Sequence, residues 1–286
     1  MSKQPDPVLH HFRPSWAICA FDGSCLSDRT PMRAMRPVVD VRSAPSDDAA
    51  LDTQLLFGEA VMVYGMEDGW AWVQSNWDHY QGYCRLEFLE PANLVEPTYR
   101  VMAARTFAYD KPDLKASMIA TLPMGAEVCV EEWIDTSNGL YARLSNGMGV
   151  FAKHLAPLDQ FATDPVDVAL ELLKTPYLWA GRSGLGLDCS ARVQQALRLC
   201  GIAAYRDTDM QEATLGECLA ADMPLHDLKR GDFVFWKGHV GIVEGPNSLI
   251  HANAYSMDVT VEPLDGAVER ISGLYAQPTS FRRLKS

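Results

Sequence analysis

"GLGLDCSARVQQALRLCG", residues 184–201, places a cysteine where a glycine-bearing loop turns into a helical pattern. Gly184 and Gly186 permit a tight turn, and Val193, Ala196, Leu197 and Cys200 recur at the spacing of one helical face. Cys189 then stands at the helix N-terminus, where unpaired N–H groups and the positive end of the macrodipole favour a thiolate. Two readings stay open from this stretch alone. Cys189 is either a small buried hydrophobe, as most cysteines are, or a nucleophile activated by its position.

The histidines bear on the choice. His239 and His251 fall in consecutive strand patterns, 239–244 and 248–253, joined by the turn-forming "EGPNS". In a hairpin centred on Gly245 they stand directly opposite each other on one face, with Cβ atoms about 4.5–5.5 Å apart. Such a neighbour is what a histidine base needs to fix its tautomer, so the three residues fit a nucleophile, a base and an orienting group. Zinc also accepts Cys and His, but neither a C-x-x-C nor an H-E-x-x-H spacing occurs, and no metal or other cofactor is expected. Cys200 and Cys218 are expected in the core. His10, His11, His79, His154 and His226 are read as surface or packing residues.

Working outward, residues 1–35 have no clear period and receive no assignment. From Val38 to Leu94 short runs such as "VVDVRS", "AVMVYG" and "WAWVQS" alternate apolar and polar residues between Gly, Asp, Asn and Pro clusters. The stretch from Thr98 to Leu158 has the same rhythm, and each half holds an L-x-x-G-x-x-V-x-V pattern, ending at Val63 and at Val130. This predicts two small all-β barrels, over 36–95 and 96–158. The character changes at Leu158. "DPVDVALELLKTP" predicts a helix with Asp164 as N-cap, Pro165 in the first position and Pro176 as its stop. Helical patterns follow at 189–200 and 208–220, then strand patterns at 232–236, 239–244 and 248–253. Residues 159–286 therefore form an α+β domain.

"TPYLWAGRSGLGLDCSARVQ", "RDTDMQ", "LKRGDFVFWKGHVGIV" and "LIHANA" resemble, in order and spacing, the NlpC-type peptidases of bacterial cell-wall metabolism, papain-like cysteine enzymes with an α+β core. "DTQLLFGE" and "DHYQGY" in the first β-unit, and SH3-like domains ahead of the core, further resemble the γ-D-glutamyl-L-diamino-acid endopeptidases. The resemblance implies Cys189 as nucleophile, His239 as base and His251 as the group orienting it. It implies that Tyr177 donates to the oxyanion beside the Cys189 N–H. Asp188 and Ser190 would line the substrate pocket, with Asp188 facing a free α-amino group. Thr208 stands where the family usually has serine, and Tyr80 would contact ligand at the end of the cleft that the first SH3-like domain closes. Asp232 matches the family as a turn residue. Two positions depart from the family's "Cys-Ser-Gly-Leu": here Ala191 and Arg192 follow Ser190. Arg192 either extends to solvent or adds positive charge near the sulfur.

The net charge of −12 at pH 7 argues against nucleic acid and anionic membrane surfaces as partners. No apolar run approaches the roughly 20 residues of a membrane span. The N-terminal stretch lacks a secretory apolar run, and seven cysteines make an odd, unpatterned set, so a cytoplasmic setting is expected. The expected partner is a small peptide of the L-Ala-γ-D-Glu-diamino acid type, cut between D-glutamate and the diamino acid and met as a recycled fragment. The competing readings are a non-catalytic module that binds murein fragments, and an amidase or acyltransferase acting on another substrate.

Overall fold

The computed structural model describes residues 29–92 and 96–285. His10, His11, Cys19 and Cys25 lie outside these residues. The chain divides into two compact units, Met1–Glu96 and Pro97–Ser286.

The first unit is one seven-stranded antiparallel sheet. Its strands are β1 (Thr30–Ala34), β2 (Val38–Arg42), β3 (Leu51–Leu56), β4 (Ala60–Glu67), β5 (Trp70–Ser75), β6 (Gln81–Arg85) and β7 (Leu89–Pro91), paired in the order β3-β2-β6-β5-β4-β1-β7. The period of two turns Val39, Val41, Val61 and Val63 onto one core with Leu55 and Cys84. Burial pushes the Cys84 thiol up to about 12, as befits a packing residue. β1 falls inside the stretch without an assignment from sequence. "TPMRA" has too weak an alternation to be read as a strand, and it is held by non-local pairing with β4 and β7. Among the described residues the pairing runs open from β3 to β7, so hydrogen bonds do not close the expected barrel.

The second unit begins with the other β-rich stretch. β8 (Tyr99–Val101), β11 (Glu127–Val128) and β15 (Leu155–Pro157) form a three-stranded sheet. β9 (Arg105–Tyr109), β10 (Met118–Pro123), β12 (Val130–Thr136), β13 (Gly139–Leu144) and β14 (Gly149–Phe151) form a five-stranded one. This stretch shares a compact unit with everything that follows.

Then come α1 (Pro165–Glu171), the short pair β16 (Arg182–Ser183) and β17 (Gly186–Leu187), α2 (Cys189–Leu199), α3 (Thr208–Thr214) and β18 (Glu217–Cys218). The last elements are β19 (Phe233–Trp236), β20 (His239–Gly245), β21 (Ser248–Asn253), β22 (Asp258–Pro263), α4 (Leu264–Leu274) and β23 (Ser280–Arg283). The sheet order is β18-β23-β19-β20-β21-β22. Alternation in "FVFW" sends Phe233 and Phe235 to the core beneath α2, and Val234 and Trp236 to the core beneath α4. The architecture is α+β.

Asp164 caps α1 as its sequence predicts, its carboxylate accepting from the Val166 N–H at 2.7 Å. The helix nevertheless ends at Glu171, ahead of Pro176, because the chain turns through Lys174 at φ 65°. α3 stops at Thr214 rather than 220, since Gly216 at φ 52° leads into β18. Cys218, expected in the core, is exposed on that short edge strand. No helix among the described residues is long and apolar enough to cross a membrane.

Candidate active site

Cys189 is the first residue of α2, and Asp188 is its N-cap. All eleven residues of α2 are buried, so the helix runs through the core and is not confined to a one-sided contact. The glycines before it serve close approach rather than a left-handed turn. A Cβ on Gly184 would lie 2.1 Å from the Ala104 carbonyl oxygen, and one on Gly186 would lie 2.9 Å from the Leu178 Cβ. Arg105 Nη1 donates to the Gly184 carbonyl at 3.0 Å. Further along α2, Gln195 Nε2 donates to the Met124 carbonyl at 3.2 Å, and Arg198 pairs with Glu127 at 2.9 Å. The β8–β15 stretch is thus the floor on which the cysteine loop and α2 rest.

The sulfur of Cys189 lies 3.8 Å from Thr208 Oγ1 and 4.0 Å from the Gly238 carbonyl oxygen. Position alone predicts a lowered thiol pKa, but the structure reverses that expectation. Burial and the adjacent Asp188 carboxylate push the thiol up to about 11, against the Val240 N–H, Thr208 and Arg206, which favour the anion. The resting group is a neutral thiol, so its reactivity depends on a base.

His239 opens β20 immediately after a tight turn through Lys237 and Gly238. Its Nε2 lies 2.9 Å from Nδ1 of His251 on β21, and Nε2 of His251 lies 2.7 Å from Oε1 of Glu262 on β22. The hairpin register differs from the expected one. Ile242 stands opposite Ile250, and a bulge between Val243 and Gly245 accommodates the turn at Pro246 and Asn247. The two histidines are diagonal rather than directly opposed, yet a shift of two residues keeps both on one face. Burial, His251 and the Arg192 and Arg270 cations push His239 down to about 3. Burial also lowers His251, while hydrogen bonding to His251 lowers Glu262. An ionised Glu262 only accepts, so neutral His251 carries its proton on Nε2 and accepts at Nδ1 from the Nε2–H of His239. The Nδ1 of His239 is left with a lone pair. Glu262 and Arg270, which also contacts it, had no sequence motif to reveal them.

The chain matches the NlpC/P60 family over residues 174–272 and the bacterial dipeptidyl-peptidase Sh3 domain over residues 41–89. The chain carries an NlpC/P60 domain. A γ-D-glutamyl-L-lysine dipeptidyl-peptidase of Bacillus subtilis is 28% identical over 244 residues, covering 76% of this chain and 77% of that protein. Dipeptidyl-peptidase 6 of Lysinibacillus sphaericus is 25% identical over 247 residues, covering 80% of this chain and 89% of that protein. The crystal structure of an NlpC/P60 family protein from Bacillus cereus superposes with a TM-score of 0.73 at 20% identity, covering 89% of this chain and 99% of that one. It supports the fold.

Within the NlpC/P60 domain, Asp188 departs from its expected openness. Its Oδ1 accepts from Ala191 N at 2.8 Å, Arg206 Nη1 at 3.0 Å and Ser190 Oγ at 3.2 Å. Its Oδ2 accepts from Arg206 Nη2 at 2.7 Å and Ala180 N at 3.0 Å. Arg206 compensates the charge, so a substrate amine would share Asp188 rather than have it alone. Ser190 is likewise tied inside this network instead of lining an open pocket, with Arg206 Nη1 2.9 Å from its oxygen. Tyr177 is half-buried, and burial together with the nearby Cys189 and Asp188 raises its phenol, which stays a proton donor at neutral pH. Trp179, two residues on, is 72% exposed. Asp232 is a buried turn residue, holding Lys229 N at 2.7 Å and the Arg283 guanidinium through both oxygens at 2.6 Å. Tyr80 belongs to the first unit, on the turn before β6, where its N–H donates to Asp78 Oδ1 at 3.1 Å.

Arg192 takes neither a solvent-facing nor a paired position. It is completely buried, one turn after Cys189.

Proposed function

We propose that the protein is a cysteine endopeptidase that hydrolyses the γ-D-glutamyl–diamino acid bond of peptidoglycan-derived peptides carrying a free N-terminal L-Ala. The observation that carries this reading is the ordered chain His239–His251–Glu262, whose first histidine directly follows Gly238, the residue whose carbonyl oxygen lies 4.0 Å from the sulfur of Cys189. The name of the Bacillus subtilis relative supports the substrate class, and that of the Lysinibacillus sphaericus relative supports a dipeptidyl-peptidase.

In this mechanism the Cys189 thiol gives its proton to Nδ1 of His239 as the sulfur attacks the γ-carbonyl carbon of D-glutamate. The developing oxyanion receives hydrogen bonds from the Cys189 N–H, which has no intrahelical partner at the first position of α2, and from the Tyr177 phenol. Collapse breaks the C–N bond, and the imidazolium of His239 protonates the leaving amine of the diamino acid. Water then gives a proton to His239 and attacks the thioester carbonyl. The C–S bond breaks and the sulfur regains its proton. Thr208 beside the sulfur and the Asp188–Arg206 pair hold the nucleophile's loop in place.

The test is cleavage of L-Ala-γ-D-Glu-L-Lys and its diaminopimelate counterpart, followed by mass spectrometry of the products. Cys189→Ala is expected to abolish release of L-Ala-D-Glu. Unchanged turnover by that variant overturns the reading.

A further inference from the structure

Arg192 is a buried cation that the mechanism above does not use. It stands three positions after Cys189 on α2, so both side chains share a helix face with Cβ atoms about 5–6 Å apart. It is 0% exposed, and its Nε, Nη1 and Nη2 make no hydrogen bond among the described residues. Other buried arginines nearby are paired: Arg206 with Asp188 and Arg198 with Glu127. The nearby carboxylates are committed elsewhere, Asp188 to Arg206 and Glu262 to His251 and Arg270.

A fully buried guanidinium without a hydrogen-bond partner is costly to desolvate. Such a cost persists where the charge has a use. Burial lowers Arg192 only to about 10, with ionised Cys189 acting the other way, so the group remains a cation at neutral pH. That attraction is reciprocal: whatever holds the proton on the guanidinium also holds negative charge on the sulfur. The same cation opposes a second positive charge on His239 and His251.

We propose that Arg192 is a positioning residue, the buried counter-cation of the Cys189 anion, which favours ionised sulfur and disfavours a standing positive charge on His239. Its effect is exerted against a full set of neighbours. Cys189 is faced by Asp188 at its own N-cap, Arg206 and Thr208 around the start of α3, and Tyr177 ahead of β16. Beyond it stand His239 on β20, His251 on β21, Glu262 on β22 and Arg270 on α4. Of these cations, Arg206 is already neutralised by Asp188 and Arg270 by Glu262. Arg206 also favours the sulfur anion, but it shares its charge with Asp188, whereas the Arg192 guanidinium makes no hydrogen bond among the described residues. The inference rests on Cys189 being the nucleophile.

The experiment measures the rate of iodoacetamide alkylation at Cys189 across pH 5 to 11 on the full chain, by mapping the Cys189 peptide, with kcat measured in parallel. Because the parent midpoint, near 11, stands at the upper edge of that range, the readout is the alkylation rate below it, which Arg192→Leu is expected to slow about 10- to 100-fold. Arg192→Lys, which keeps the charge, is expected to stay near the parent profile. An unchanged alkylation rate in folded Arg192→Leu overturns the proposal, and so does an equal slowing in the Leu and Lys variants, which would mark a packing role. Arg192→Met stands in if the Leu variant does not fold. Failure of both apolar variants alongside a folded Lys variant also overturns it, because the charge would then serve folding. Cys189→Ala separates the two claims: if that variant keeps turnover, the nucleophile assignment fails first. If it is inactive while Arg192→Leu is alkylated at the parent rate, only the role of Arg192 falls.

Discussion

Oε1 of Glu262 lies 2.7 Å from Nε2 of His251, and this contact decides which nitrogen of His251 carries the proton. The tautomer passes along the chain to His239, whose Nδ1 is left as an acceptor. Glu262→Ala removes the anchor while leaving every group around the sulfur in place. It is expected to lower kcat about 10- to 100-fold, less than the roughly 10²- to 10⁴-fold assigned to a general base itself. Glu262→Gln, whose amide oxygen still accepts from Nε2–H, is expected to lose less. Steady-state kinetics of the two variants check the order, and a Gln variant as impaired as Ala contradicts the tautomer argument.

Acid should unfold this protein through the same residues. His239, lowered to about 3, and His251, lowered by burial, bind fewer protons in the fold than in the unfolded chain once the pH falls below about 6.5, the free histidine value. Stability contributed by these rings is full above that value and drains as the pH falls below it. Glu262 acts in the same direction, because its lowered carboxyl keeps its charge below the unfolded value near 4.3. Urea midpoints at pH 7.5, 6.0 and 4.5 are expected to fall steadily, and His239→Gln is expected to flatten the slope. A constant midpoint over that range would contradict the burial of neutral imidazoles.

Asp188 and Arg206 stand or fall together. Their two contacts, 3.0 and 2.7 Å, are buried, and removing either partner leaves the other's charge without compensation. Arg206→Met is expected to cost about 3–5 kcal/mol. Asp188→Asn is expected to cost a similar amount and also to weaken the cap of α2. Denaturant titration of both variants checks this, and a loss under 1 kcal/mol would show the pair to be well hydrated.

Gly184→Ala tests the floor beneath the cysteine loop. The added Cβ meets a backbone oxygen, that of Ala104, at 2.1 Å, and no side-chain rotation relieves it. A destabilisation of about 1–3 kcal/mol is expected, with a thermal midpoint lowered accordingly. A variant as stable as the parent would mean that the loop is not seated on the β8–β15 stretch.

Much of the catalytic core was legible in its sequence because the signals are local. Asp164 and Pro165 announce α1, glycines before Cys189 announce the approach to α2, and "FVFW" and "LIHAN" alternate as strands must. Even the hairpin error was benign, since its two-residue offset kept His239 and His251 on one face. β1 and α4 went unread. "TPMRA" has too little pattern of its own, and "LDGAVERISGL" lacks a side-chain cap to announce its start.

The sequence by itself marked out many of the helices and strands and placed His239 and His251 on one face of a hairpin, because period, caps and turns act over a few residues. Only the tertiary structure decided the charge states. The Cys189 thiol is raised rather than lowered because burial and Asp188 outweigh its place at the helix start. Glu262 enters from a third strand, Arg206 neutralises Asp188 from 18 residues away, and Arg192 points inward. Desolvation and non-local charge depend on what the fold brings together, and no spacing along the chain records that.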